Sequence, residues 1–458
     1  VFHIGAKSGV LIRTGIPTHI SKTGDHVLFG LRSRVRRVSY GWWVAVTGGL
    51  NMIFTSGPTF QGSSAIFLAV ETEFGWSRAV IGGVASFGRF GGTLFGPLEG
   101  YMTDKFGPAK MMFFGMIGGG IGFIWLSQVH GVFMYYAAFL TLSLGFSMGG
   151  FVPSIVAVNH WLPKRRATGI AIVVGGSSLA GLVVPALAWG IDAHGWRTTV
   201  FWIGVISISV SPFFYWALSR RGSGSASELA RDHQASKSKK DEKSEAADGE
   251  YDFTARQALR TRAFWIISGT HSLVNFSTSA VSAHLLLHLN DVGIDPITAA
   301  TIIPVLAIVA FTFQMAGGFI GDKFSKQYPI SFFTAIQGFG ALILAFTTGY
   351  PTALLFAVVW GIGFGGRTPI LHAMRGDYFG SKAFGTILGL SSVMMGASMS
   401  AAPFLVGLQF DIQDTYRWAF VGLAVLAWCA SILILFVTRP VHPSLRNKET
   451  AQVGAAEA

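Results

Sequence analysis

Charge is scarce in this sequence. Asp, Glu, Lys and Arg make up 12% of its 458 residues, against about 25% in an ordinary globular protein. Hydrophobic residues reach 51%. That combination excludes a soluble fold of this length, because too much apolar surface would be left facing water, whereas a bilayer can cover it. Cysteine is scarcer still. Cys429 is the single one, which excludes an intramolecular disulfide and a cysteine-based metal set. Acidic residues are outnumbered, 22 to 34, for a formal charge of +12. The basic residues do not gather in one patch, so a nucleic-acid surface is excluded. They recur in short loops between apolar runs instead. A sustained apolar run is also missing from 1–38, and with it the long core of a signal peptide. That stretch reads as a disordered cytoplasmic leader.

What the sequence does have is apolar runs, each long enough for a hydrocarbon core about 30 Å thick. The first six fall at 41–70, 78–103, 109–128, 131–160, 167–191 and 197–219. The second six fall at 262–290, 296–320, 329–349, 351–375, 382–411 and 416–438. Numbered in order as spans one to twelve, they predict an all-α membrane protein of two pseudo-symmetric six-helix halves. The expected division is a leader, 1–38, a first bundle, 39–219, a linker, 220–258, a second bundle, 259–439, and a tail, 440–458. The linker is polar and mixed in charge, hence disordered. Residues 251–262 read as a short amphipathic helix on the membrane surface.

Loop charges set the orientation. Lys105 and Lys110 follow span two, Lys164 to Arg166 follow span four, Lys323 and Lys326 follow span eight, and Lys382 follows span ten. The alternate loops carry Glu71, Glu73, Asp192, Asp291, Asp295, Asp411 and Asp414. By the positive-inside rule both termini and the linker are cytoplasmic. Trp42, Trp43, Trp196 and Trp418, near span ends, read as interfacial anchors.

The halves repeat. Gly100-Tyr-Met-Thr-Asp-Lys-Phe-Gly107 follows span two and Gly318-Phe-Ile-Gly-Asp-Lys-Phe324 follows span eight. Asp104 and Asp322 lie 218 residues apart (322 − 104). The same offset maps Gly145-Phe146 onto Gly363-Phe364, Asn159 onto Asp377 and Pro185 onto Pro403. Coincidences at one offset indicate duplication of a six-helix unit. The Gly-x-x-x-Asp-Lys-x-Gly loop resembles the signature of the major facilitator superfamily. Three further stretches resemble its bacterial oxalate/formate antiporter and monocarboxylate transporter branch: Tyr40-Gly-Trp-Trp, Trp161-Leu-Pro-Lys-Arg-Arg-Ala-Thr-Gly169 and Gln257-Ala-Leu-Arg-Thr-Arg-Ala-Phe-Trp265. The resemblance spans about 40–440. It departs from that branch in spans eight and eleven, where 296–320 and 383–410 hold no basic residue.

The resemblance implies a gate. Asp104, Lys105 and Gly107 belong to the loop motif, and the aspartate equivalent to Asp104 sits by the start of span eleven in the superfamily. A carboxylate is favoured at a helix N-terminus. Asp322 and Lys323 are expected to play a weaker, pseudo-symmetric role beside span five, with Gly380 and Lys382 completing that region. Gly88, Gly92, Gly96 and Gly100 share a face of span two. They could pack on Gly385, Gly389 and Gly396 of span eleven, as a static contact or a sliding one.

Two arginines stand at mid-membrane depth. Arg89 lies eleven residues after Arg78 and fifteen before Asp104, and Arg367 lies midway in span ten. Such a charge costs at least ~2.5 kcal/mol unless it meets water or a partner. The glycines and proline of Gly365-Gly-Arg-Thr-Pro369 are expected to loosen the helix around Arg367. Polar stripes at helical spacing run along span seven (His271, Asn275, Thr278, Ser282) and span one (Asn51, Thr55, Thr59). Packing would explain one such stripe. Two on matching helices suggest the walls of a central cavity. His284 and His288 share a face without a nearby carboxylate, so no metal site is assigned.

Two buried arginines with no mid-span carboxylate make a cavity positive, and an anion would supply the missing charge. The reading is secondary active transport of a small organic anion, a mono- or dicarboxylate, by alternating access. The alternatives are carriage of another small solute, by uptake or efflux, and a non-transporting receptor. No nucleophile–base set or phosphate-cradling loop points to an enzyme. No cofactor is implied. The partners are the lipid bilayer, the anion, and a proton or counter-anion, with His271 the group placed to carry a proton. The expected setting is the cell (inner) membrane, as a monomer.

Overall fold

The computed structural model describes residues 40–76, 78–219 and 252–443. The leader, most of the linker and most of the tail lie outside the described residues. So do the side chains of a segment of span two that includes Gly88, Arg89 and Gly92.

Among the described residues the chain is helical, without strands. Twelve helical passages follow one another. Nine of them are long and apolar enough to cross a membrane. The other three are spans one, two and seven, which carry the polar stripes and the glycine-rich face. Polar residues and glycines dilute apolar character, so these are the spans that fall short on hydropathy or unbroken length.

Several spans are broken where proline removes a donor. Span one is helical over 40–56, passes through a wide turn at Gly57–Gln61 and resumes at Ser63–Phe74. Span four breaks at Gly150, between Val132–Gly149 and Phe151–Trp161. Span five runs Arg166–Leu179, tightens over Ala180–Val183 and continues as Val184–His194. Span ten does not behave as the sequence suggested. Tyr350–Phe379 is one continuous helix through Pro369. The glycines around Arg367 serve packing instead: Gly363 abuts the backbone of Gln337, Gly365 the Ala310 carbonyl and Gly366 the Phe333 ring. Span ten is thus clamped between spans eight and nine, which holds it straight.

Small residues also join the two halves. A Cβ added to Gly100 would run into the Gly385 carbonyl, and one on Gly389 into the Gly96 carbonyl. The glycine faces of spans two and eleven therefore pack backbone to backbone. Span eight packs on span five in the same way, with Gly318 against Thr168 and Ala171.

The surface aromatics divide. Trp43 is 44% and Trp418 61% exposed, as expected of interfacial anchors. Trp196 is buried, which corrects the expectation for it. Its indole N–H donates to Glu73 Oε2 at 2.5 Å, beside the Arg197–Glu73 ion pair. An indole N–H with so close a carboxylate is drawn inward rather than to the lipid headgroups.

Candidate functional site

Spans seven, nine and ten converge on Arg367, whose side chain is fully buried. Its Nε donates to Gln337 Oε1 and a terminal nitrogen donates to Thr278 Oγ1 at 3.2 Å. Its guanidinium lies 5.5 Å from the centre of the Phe364 ring. All of these partners are neutral. Two turns further along span ten stands Arg375, also buried. It donates to the Leu371 carbonyl at 3.1 Å and to His271 Nδ1 at 3.1 Å, with Ser391 Oγ at 3.4 Å. Arginine has no acceptor, so His271 Nδ1 accepts and the ring is the neutral Nε2–H tautomer. The His271 ring meets the His372 ring at 4.8 Å, and His372 in turn meets Phe151 of span four at 5.1 Å. Two arginines and two histidines are therefore gathered in one half. No carboxylate among the described residues pairs with either arginine.

The expected cavity walls fare differently. In span seven, His271 and Thr278 are bound to the two arginines, Asn275 lies between them on the same helical face and is half-buried, and Ser282 is exposed. In span one, Asn51 and Thr55 are buried in the first bundle rather than lining a cavity. Asn51 Nδ2 donates to the Gly149 carbonyl at 2.8 Å. Pro153, four residues on, has no N–H to offer that carbonyl, so the asparagine supplies it. Thr55 and Thr59 turn back on their own helix, to the carbonyls of Asn51 and Thr55. His284 bonds Tyr416 and the Pro403 carbonyl, and His288 the Leu344 carbonyl.

At the end of the bundle that carries the basic loops, the two halves meet. Asp104 accepts from the backbone N–H of Gly385 (2.9 Å) and Thr386 (2.7 Å) and from the Thr386 hydroxyl (2.7 Å). Asp322 accepts from the N–H of Ala167 (2.9 Å) and Thr168 (3.0 Å) and from the Thr168 hydroxyl. Span eleven begins at Phe384, span five at Arg166, and neither has a capping side chain of its own. Each helix start is thus capped by an aspartate from the other half. The two sites match in geometry, so the structure gives no sign that the Asp322 contact is the weaker. Lys105 and Lys323 are exposed, with the Lys105 ammonium 5.6 Å from the Tyr101 and Phe106 rings. Gly107 has φ +87°, a conformation that favours glycine, and turns the chain into span three. Two more links cross here. Arg166 pairs with Asp377 at 3.0 Å, Lys326 holding the other carboxylate oxygen, and His160 donates to the Ser381 carbonyl at 3.0 Å.

A family model for the Major Facilitator Superfamily matches residues 44–366 and 291–457. The chain belongs to the major facilitator superfamily. It is a transporter, not an enzyme. It is similar to Monocarboxylate transporter 2 of Homo sapiens, 22% identical over 443 residues, 91% of this chain and 89% of that one. It is also similar to Monocarboxylate transporter 13 of Rattus norvegicus, 21% identical over 406 residues, 86% of this chain and 89% of that one. Among solved structures it resembles FucP in the outward conformation, with a TM-score of 0.68 and 11% identity over 87% of this chain and 99% of that chain. The human organic anion transporter MFSD10 gives 0.63 and 15% identity over 87% of this chain and 99% of that chain. At these identities the solved structures speak for the fold.

The major facilitator fold also buries Arg375, His372 and Gln337, which their places in the sequence do not mark out, and Glu99, the carboxylate nearest Arg89 along span two. Arg375 and His372 were hidden because the last turn of span ten looks like a span end, where charge is ordinary. Gln337 was overlooked as one polar residue in an apolar run. Glu99 is 4% exposed, and Ser147 donates to its Oε2 at 2.9 Å. Repeat spacing held a signal for Arg375, since the offset places Ala157 opposite it.

Proposed function

We propose that this transporter carries a small organic anion, a mono- or dicarboxylate, by alternating access, with its basic end in the cytoplasm. The observation that carries the reading is the buried cluster of Arg367, Arg375, His271 and His372, whose described partners are all neutral. A guanidinium at this depth is costly without a counter-charge. A carboxylate entering beside Arg367 would replace the Gln337 and Thr278 contacts with a charge-assisted fork. Asn275 lies on the approach. Arg89, at corresponding depth in span two, balances a second carboxylate or the empty site. The names of the similar relatives, monocarboxylate transporters, support the same substrate class.

Asp104 and Asp322, with Lys105, Gly107 and Lys323 in their motifs, form the gate. In this conformation they hold the basic end closed through contacts that can be exchanged without unfolding either bundle. The positive-inside rule supports the orientation, and the expected setting is the inner membrane. Charge balance is completed by a proton or a counter-anion, and His271 takes the proton only once Arg375 releases its Nδ1.

Binding of carboxylates to the purified, folded protein tests this. Arg367→Gln should weaken anion binding roughly ten- to a hundredfold, matching the ~1.5–3 kcal/mol of a hydrogen bond to a charged group. Arg367→Lys keeps the charge and loses the fork, so it should fall between. Unchanged affinity in the folded Arg367→Gln protein would make the arginine structural and sink the reading.

A further inference from the structure

Between Arg367 and the closed basic end, the contact of spans four and ten holds polar atoms that no described residue satisfies. Asn159 is fully buried, and neither its Oδ1 nor its Nδ2 has a hydrogen-bond partner among the described residues. His372 is 2% exposed, and its Nδ1 is likewise without one. The two belong to facing surfaces. The His372 ring packs on Phe151 of span four. One turn further along span ten, a Cβ on Gly376 would run into Asn159 Oδ1. Residues 372 and 376 therefore mark the stripe of span ten that looks at span four. Behind His372 stand His271 and Arg375. The next layer toward the basic end is the Arg166–Asp377 pair.

Burying an unsatisfied polar group is costly, and apolar side chains would seal a closed gate at less cost. Asn159 and His372 make sense if something polar passes between them. We propose that Arg375, His271, His372 and Asn159 form a second carboxylate position, on the basic-end side of Arg367, occupied as that end opens. The proposal rests on the organic-anion reading above. Arg375 follows Arg367 by eight residues, a rise of about 12 Å on a helix. One carboxylate cannot reach both guanidiniums, so the two positions are used in turn. The fork of Arg375 is held by His271 of span seven and Ser391 of span eleven, and Asn159 projects from span four against Gly376. They therefore grip the anion as spans four and ten begin to part and a path to the basic face opens. When the halves rock apart the grip loosens, and the anion leaves.

Sidedness tests the proposal. Full-length protein is reconstituted in one orientation. Acetate, lactate, oxalate and succinate, radiolabelled, are offered in turn to each face, and the best-carried of the four is kept as the probe. Arg375→Gln and Asn159→Leu should each raise half-saturation from the basic face roughly tenfold or more, the loss of one charge-assisted or buried contact. From the opposite face it should stay within about twofold, less than 0.5 kcal/mol. A simple bias toward the closed state would mimic this, so alkylation of a Ser178→Cys probe at the interface is followed too, and its rate should not change. Equal shifts from both faces, no shift, or an asymmetry matched by slower alkylation would overturn the second position. Should Arg375→Gln fail to fold, Asn159→Leu and His372→Asn decide on the same terms. If the parent carries none of the four anions, the organic-anion reading and this position fall together. If the parent carries one and the asymmetry is missing, this position alone falls.

Discussion

Spans two and eight end in the same Asp-Lys-Phe, and each aspartate caps a helix start across the pseudo-twofold axis. The offset of 218 maps this contact onto itself atom by atom: Asp104 onto Asp322, Gly100 onto Gly318, Gly385 onto Ala167, Thr386 onto Thr168. Midway along the spans the correspondence dissolves. Gly96, against Ser392 in one interface, corresponds to Gln314, which accepts from Ser178 in the other. In the interior Gly363-Phe364 still matches Gly145-Phe146, but the polar cluster around it is not shared. Arg367, His372, Arg375 and Gln337 correspond to Gly149, Ser154, Ala157 and Gly119. The contacts between the halves at the basic end kept their duplicated chemistry. At these four positions one half carries charged or polar side chains where the other carries small ones.

The strongest way to break this comparison is to crowd the gate. In a Cys429→Ser background, Gly100→Val and Gly318→Val should both prevent the basic end from closing, because each new side chain meets backbone or a Cβ of the other half. Alkylation of Ser178→Cys from the basic face should rise several-fold in both, the effect of ~1 kcal/mol or more on a two-state equilibrium. If only Gly100→Val has this effect, the two contacts are not equivalent.

Next in size is the first bundle alone. Asn51→Leu leaves the Gly149 carbonyl without a donor and should cost about 1–3 kcal/mol of stability. Thermal unfolding in detergent would show it as a lowered midpoint. An unchanged midpoint would mean that the asparagine is not what satisfies the break in span four.

Asp104→Asn and Asp322→Asn keep shape and remove charge. Each should weaken closure by ~0.3–1 kcal/mol, up to about 2 for a partly buried site. Alkylation rates should rise by similar factors in the two. A response confined to Asp104→Asn would restore the unequal gate that the loop motif suggested. Lys105→Ala and Lys323→Ala, both exposed, should change little, within about 0.5 kcal/mol. The smallest expected effect is on function itself. Single cysteines at Ser236 and Thr415 should label from opposite faces with transport unchanged, and labelling of both from one face would reverse the orientation.

Apolar length, alternating loop charge and a repeat at fixed offset were enough to specify a twelve-span membrane protein of two six-helix halves, and the Gly-x-x-x-Asp-Lys-x-Gly loop added the resemblance to the major facilitator superfamily. These are properties of chain segments facing lipid and water, and each can be read from its own residues. The partner of Asp104 was implied by the resemblance to the superfamily, and the contact makes physical sense because helix starts are where backbone N–H groups are unpaired. What a side chain in a span faces was not. Asn51 and Thr278 have the same spacing credentials, yet one mends a proline break in the first bundle while the other holds Arg367. Arg375 sits four residues from the end of span ten, where charge usually reaches water, and instead is sealed under the gate. The sequence by itself determined where helices run and which end carries the basic loops. The tertiary structure alone decided which polar groups converge, because that depends on the rotation of each helix against its neighbours. Close glycine packing sets that rotation, and no single span encodes it.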